Sequence, residues 1–292
     1  MEKQKIISIL KKIEDLPTLP KIISKIMEIF EDPYANAENL TKIISLDQTL
    51  TLKTLKLANS AYYGFPRQIE DVTEAIVVLG FLTVRNLILT SSIYNIFIKD
   101  KEKNKTEFDF DIINLWRHSI SVAIIAKNLV QKINIGHIID EKEVFTLGII
   151  HDIGKIFLDI YFNNDFYKIL KNHRLNPDKP VIEIEKNILG LNHGEIGALI
   201  IDKWNLPEIY IIPVKYHHNP SLIKSNYYTL ILYLADILSY YYSSTFNFDN
   251  FFKNLNEYAK ENGNIDLKNI DYVEILKNSE LEISNADLFL SF

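Results

Sequence analysis

Apolar residues recur at intervals of three and four along nearly the whole of this chain, and that rhythm restricts it to one kind of fold. In KIISKIMEIFED, Ile22, Ile26, Ile29 and Phe30 form a single stripe. Leu40, Ile43, Ile44 and Leu55 continue the pattern, and Ala75, Leu79, Leu82 and the run to Ile93 make another. Such spacing keeps one face of a helix apolar, whereas a half-buried strand requires alternation with a period of two, which is nearly absent. Glycine and proline number only 9 each, so little interrupts the helices. The expectation is an all-α protein. Breaks fall at Asp32-Pro33 and at Gly64-Phe65-Pro66, and only Ile69 to Val72 leaves room for a short extended piece.

The chain has 292 residues, 47% hydrophobic and 24% charged, enough to bury a sizeable core in one large domain or two modest ones. The segment Lys99 to Asp111, KDKEKNKTEFDFD, is charged, almost free of aliphatic residues and flanked by apolar helical stretches. It reads as a boundary between two helical bundles, residues 1–104 and 105–292; a surface loop inside one domain would have the same composition. Beyond Tyr240 the tail is rich in Asn, Tyr and Phe and identifies no function. No stretch reaches the roughly 18 apolar residues of a membrane span. The opening residues lack a signal-peptide core, and the absence of cysteine removes disulfides and thiolate metal sites. A cytoplasmic location follows as an expectation. The net charge of −6 argues against a broad nucleic-acid surface, which needs clustered Lys and Arg.

Chemistry concentrates in a few polar residues set into apolar helices. His118 shares a stripe with Val122, Ile125 and Leu129 and so faces inward. His151 and Asp152, in HDIGK, end the apolar stretch Val144–Ile150. His193 opens a helix that Asn192 could cap, with Glu195 in its first turn. His217 and His218 stand together just before Pro220, and Asp236 lies within the apolar LILYLADILSYY. Taken singly, each has an ordinary structural explanation: a hydrogen-bonded core histidine, a helix-terminal cation, a buried carboxylate with a partner. Taken as a set, five histidines and two aspartates on helix ends and apolar faces can converge in one bundle. Imidazole and carboxylate suit iron, manganese, zinc or nickel. Seven such ligands serve two divalent ions with one aspartate bridging. Their residual positive charge attracts phosphate, and a water activated there would be a nucleophile for phosphoester hydrolysis. Asn59-Ser60, in LKLANSAYYG, is a further candidate site, equally explained as a helix end bonded to local backbone.

The order H…HD…H…HH…D from His118 to Asp236 resembles the HD superfamily of metal-dependent phosphohydrolases, HD-GYP cyclic-dinucleotide phosphodiesterases in particular. That resemblance implies a first metal held by His118, His151, Asp152 and Asp236, and a second held by His193, His217 and His218 with Asp152 bridging. It also implies that Lys155, the lysine of HDxGK, holds a phosphate oxygen. Asp152 and Lys155 are then the catalytic residues if the chain is an enzyme. The segment after the HH pair, HHNPSLIKSNYY, carries no Gly-Tyr-Pro triplet, which departs from HD-GYP. The first half is similar to HDOD proteins instead, through Leu16-Pro17, Leu19-Pro20, Asp47 with Leu50, and Leu57-Ala58-Asn59-Ser60-Ala61, then AIVVLGFLTVRNLIL and NHGEIGALIIDKWNLPEIYIIPVKYHHNP. Membership there implies a bacterial signalling module, usually regulatory, whose pocket binds one or two divalent metals and whose partners are signalling proteins or a nucleotide. The alternative is a phosphohydrolase acting on a nucleotide or cyclic dinucleotide.

Overall fold

The computed structural model describes residues 2–16, 35–59, 66–81, 110–133, 138–223, 226–241 and 270–290, with scattered positions between them. Among the described residues every regular element is helical and no strand occurs. Ile69 to Asp71 belong to no regular element; Asp71 has extended backbone angles (φ −99°, ψ 134°), but Val72 already begins a helix and no strand forms there. The charged segment at 99–109, Ile22, Ile26, Phe30, Ser60, Gly64, Leu82 and the tail from 242 to 269 lie outside the described residues.

The chain divides into two compact units. One comprises Thr18–Ile96 with Glu280–Phe292, the other Met1–Pro17 with Phe97–Ser279. In this division the first seventeen residues go with the second half of the chain rather than with residues 18–96.

The first unit contains α2 (Ala37–Ile44), α3 (Gln48–Ala58) and α4 (Val72–Leu79). Asn36 and Asn39 form a reciprocal cap at the start of α2, and Asp71 caps α4 by accepting from Glu74 N at 2.8 Å. Leu40, Ile44, Leu57, Ala75 and Ile76 are buried between these helices. Asn59 adopts its structural role. Its amide donates to Leu55 O (2.8 Å) and Ile69 O (2.7 Å), and its Oδ1 accepts from Ile69 N (2.7 Å). The end of α3 is thereby tied to the chain entering α4.

The larger unit holds α1 (Glu2–Glu14) and the helices from α5 (Ile112–Ile133) onward: α6 (Glu141–Ile150), α7 (Ile153–Tyr161), α8 (Asn163–Leu175), α9 (Val181–Leu189), α10 (His193–Lys203), α11 (Ile211–Tyr216) and α12 (Tyr227–Tyr241). The final helix α13 (Tyr272–Leu290) joins this unit through Ser279. There the Ser279 hydroxyl accepts a buried hydrogen bond from Asn128 at 2.9 Å. Helix α1 packs on α9 and α10, and Lys5 reaches Asp165 at 2.8 Å. Helix α5 lies against α6 and α12, while α10 lies against α7 and α11. Trp116, Phe157 and Phe166 fill the centre, almost wholly withdrawn from water. Burial of such side chains, at about 1.5–3 kcal/mol each, is what holds these helices in register. Among the described residues no helix is long and apolar enough to cross a membrane.

Candidate metal centre

Six helices, α5, α6, α7, α10, α11 and α12, deliver the polar residues to one place in the larger unit. Two close approaches set their spacing. At Gly148 a Cβ would lie 2.3 Å from Ala123 Cα, so α6 can touch the backbone of α5, and His151 comes beside His118 with ring centroids 5.3 Å apart. At Gly154 a Cβ would lie 2.0 Å from His193 O, so the first turn of α7 rests directly on the start of α10. No residue but glycine fits either contact. Asn192 caps α10 with Glu195 in a reciprocal box, as expected, which fixes the helix terminus that carries His193.

The structure brings all seven of the singled-out residues together. Asp152 stands at the centre, one carboxylate oxygen turned to each side. Its Oδ1 lies 3.3 Å from His193 Nε2 and 3.7 Å from His217 Nε2. Its Oδ2 lies 3.4 Å from His151 Nε2 and 3.7 Å from His118 Nε2. Asp236 Oδ1 is 3.1 Å from His118 Nε2 and 3.9 Å from His151 Nε2, and its Oδ2 is 3.6 Å from His218 Nδ1. His193 Nε2 is 3.2 Å from His217 Nε2 and 3.0 Å from His218 Nε2. Two candidate ligand groups result, Asp152 with His193, His217 and His218, and His118 with His151 and Asp152. Asp152 is common to both, and Asp236 adjoins the second.

Asp152 occupies the position that caps α7, where an aspartate ordinarily accepts from the helix N–H groups, yet its side chain makes no such bond. It is turned into the pocket instead. Lys155, three residues on, lies at 2.6 Å from Asp152 Oδ2.

The histidines are fixed from behind. His151 and His217 each end a helix and direct Nδ1 at the carbonyl three residues earlier, Gly148 O at 2.8 Å and Val214 O at 2.7 Å. The ordinary role of a helix-terminal histidine is thus fulfilled by one ring nitrogen, which leaves Nε2 free of that duty. The hydroxyl of Ser239 donates to Asp236 O at 2.7 Å, so its Oγ accepts from His118 Nδ1 at 3.0 Å. Glu185 accepts from both His193 N (2.9 Å) and His193 Nδ1 (2.8 Å). With Nδ1 protonated in all four rings, four Nε2 lone pairs face carboxylate oxygens and one another. The buried His118 Nε2, His151 Nε2 and Asp152 Oδ1 make no hydrogen bond.

Such a constellation of acceptors requires cations or protons between them. Metal–nitrogen bonds of about 2.0–2.1 Å at angles near 90–110° place ligand nitrogens roughly 2.9–3.4 Å apart, which brackets the distances from His193 Nε2 to His217 Nε2 and His218 Nε2. The donor set therefore fits divalent metals. Without a metal, protons would play that part. Burial opposes protonation of His193, but the Glu185 carboxylate overrides it and raises the imidazole to about 9. Burial likewise opposes a charged His151, and Asp152 and Asp236 outweigh it. His217 and His218 are lowered, chiefly by burial. Burial alone would raise Asp152, but the Lys155 ammonium and His151 hold it well below the usual carboxylate range. Asp236 is lowered against its own burial, mainly by His118. This dense set of opposed shifts is typical of a site built for charge chemistry.

Sequence reasoning did not identify Glu185 and Ser239. Glu185 is wholly buried, on the same helical face as Val181, Ile184 and Ile188; a carboxylate in an apolar stripe was the available signal. Ser239, three residues after Asp236, gave none. Tyr240, half-exposed, lies with its ring tilted over His118 at 4.8 Å between centroids.

Comparison with solved structures gives the same fold. A Geobacter sulfurreducens protein, an HDOD domain protein with unknown function, superposes with a TM-score of 0.74 at 23% identity, over 96% of each chain. A candidate metal-dependent phosphohydrolase of Shewanella amazonensis SB2B superposes with a TM-score of 0.60 at 19% identity, covering 98% of this chain and 99% of that one. An uncharacterized protein of Treponema pallidum (strain Nichols) is 25% identical over 228 residues, 78% of this chain and 42% of its own length. The chain thus spans less than half of that relative. The HDOD domain model matches residues 16–220, which include Thr18–Ile96 of the first unit and the pocket up to its HH pair, and the chain belongs to the HDOD domain family.

Proposed function

We propose that this chain is an HDOD signalling module whose pocket holds two divalent transition metals and uses them to bind a phosphate-bearing nucleotide or cyclic dinucleotide, with partner proteins as its output. The observation that carries this reading is the convergence of six ligand groups around Asp152, where the buried His118 Nε2, His151 Nε2 and Asp152 Oδ1 make no hydrogen bond. Four residues, His118, His151, Asp152 and Asp236, would hold one ion; His193, His217 and His218, with the other oxygen of Asp152, would hold the second. Iron, manganese, zinc and nickel all accept such a nitrogen and oxygen set. Two carboxylates against two dications leave net positive charge, which favours an anionic ligand. Support for a signalling role comes from family membership and from a Marinobacter aquaeolei VT8 structure, a candidate signal transduction protein, with a TM-score of 0.78 and 19% identity.

Hydrolysis is the second reading, and Lys155 is the residue that favours it. The ions, when bound, supply Lewis acidity and an activated water. This chain's own contribution would be to orient the ligands from behind, through Glu185, Ser239 and the carbonyls of Gly148 and Val214. Lys155 would hold a phosphate oxygen. The discriminating experiment incubates Mn²⁺-loaded protein with a panel of nucleotides and cyclic dinucleotides and follows binding and product together. Binding without turnover supports the regulatory reading. Turnover abolished by Asp152→Ala supports the hydrolase, and neither binding nor turnover refutes both.

A further inference from the structure

The two sides of the pocket are not equivalent, and the difference lies in what already engages each oxygen of Asp152. On the Oδ1 side no lysine is seated: the atom is buried, has no hydrogen-bond partner and faces only the imidazoles of His193 and His217. Its histidines are preset. Glu185 grips His193 through two bonds, Val214 O fixes His217, and His218 Nε2 stands 3.0 Å from His193 Nε2. On the Oδ2 side the Lys155 ammonium sits at 2.6 Å, against the same oxygen that His118 and His151 approach. A dication entering there must share that oxygen with a buried cation or displace it, and like charges at such range repel strongly in a dry pocket.

Resting on the two-ion reading above, we propose that the ions load in order: the His193–His217–His218 side fills first, and Lys155 holds back occupancy of the His118–His151–Asp236 side. Lys155 acts here as a positioning residue, a built-in counter-ion for the bridging carboxylate. When the second ion takes Oδ2, the ammonium is released inside the pocket, where an anionic ligand can receive it. Ligand binding and completion of the metal pair are then coupled through one side chain.

The test titrates the chelator-stripped 292-residue chain with Mn²⁺, by calorimetry and chelator competition, and compares Lys155→Met and Lys155→Arg. Wild type is expected to show two affinities separated by about tenfold or more, on the scale by which outer-sphere partners tune metal sites. In Lys155→Met the weaker affinity should rise about tenfold while the stronger stays unchanged, and that unchanged site also verifies the fold. Lys155→Arg, which keeps the cation, should keep the gap. One ion in wild type and two in Lys155→Met would support the same conclusion. Equal affinities in wild type, a weaker site indifferent to Lys155→Met, one ion in both, or loss of the stronger site in Lys155→Met would each overturn it. Absence of any Mn²⁺ binding would instead overturn the two-ion reading on which this one rests.

Discussion

Replacing Gly154 by alanine asks whether the pocket depends on backbone contact between α7 and α10. The added Cβ would stand 2.0 Å from His193 O, 2.8 Å from its carbonyl carbon and 3.0 Å from its Cα. Ordinary carbon–oxygen contact begins near 3.2 Å, so the two helices must separate by about 1 Å, and no side-chain rotation can relieve a clash with main chain. Overpacking commonly costs 1–3 kcal/mol, and a clash this close belongs at about 3 kcal/mol or above. The displacement falls on His193, in contact with Asp152 at 3.3 Å and bonded to Glu185. Metal affinity should therefore fall along with stability, by tenfold or more. Urea unfolding and Mn²⁺ titration at a temperature where the variant remains folded measure the two effects. Gly194→Ala is the internal comparison, because its Cβ would meet Val214 O at 2.9 Å, and it should be milder. Stability within 0.5 kcal/mol of wild type with unchanged Mn²⁺ affinity in Gly154→Ala would refute the packing argument.

Glu185→Gln keeps the shape but removes the charge behind His193. It should weaken Mn²⁺ binding by about 10–100-fold, measurable by calorimetry, with helicity preserved in circular dichroism. Phe157→Ala, at the fully buried centre of the larger unit, should destabilise by about 3–5 kcal/mol in urea unfolding. The clasp of α1 is pH-dependent. Partial burial pushes Asp165 upward, but hydrogen bonds from Lys5 and Lys168 prevail and hold its carboxyl below the ordinary range. The unfolded chain then binds more protons than the folded one, so the contribution is present above the ordinary carboxylate pKa and is lost as pH falls through the lowered value. The pair is only partly buried and remains in reach of water, which limits the effect to about 1 kcal/mol or less. Lys5→Ala should destabilise at pH 7, and the difference from wild type should shrink toward pH 3 in denaturant unfolding.

Much of this molecule was legible before any coordinates. Helical periodicity gave the all-α class because period 3.6 and burial are coupled in every amphipathic helix. The inward orientation of His118 followed from its stripe, and the Asn192–Glu195 cap from its spacing. The seven polar residues stood out because each contradicts its apolar surroundings. What stayed hidden was tertiary. Nothing local says that Gly148 meets Ala123 or that Gly154 meets His193 O. Glu185 lies eight residues before His193, and only the turn at Gly190 between two helices folds one back on the other. The placement of Met1–Pro17 with the later half of the chain depends on contacts with α9 and α10, far away in sequence. Lys155 was visible as a cation on the helix face of Asp152, but its position against one oxygen and not the other was not.

Elemental analysis of the full chain, purified without chelator and dialysed against metal-free buffer, tests the central claim most directly. The account predicts two equivalents of a divalent transition metal per chain, falling to one or none in Asp152→Ala. A wild-type protein that carries no metal and takes up none from excess Mn²⁺, Fe²⁺ or Zn²⁺ would contradict it.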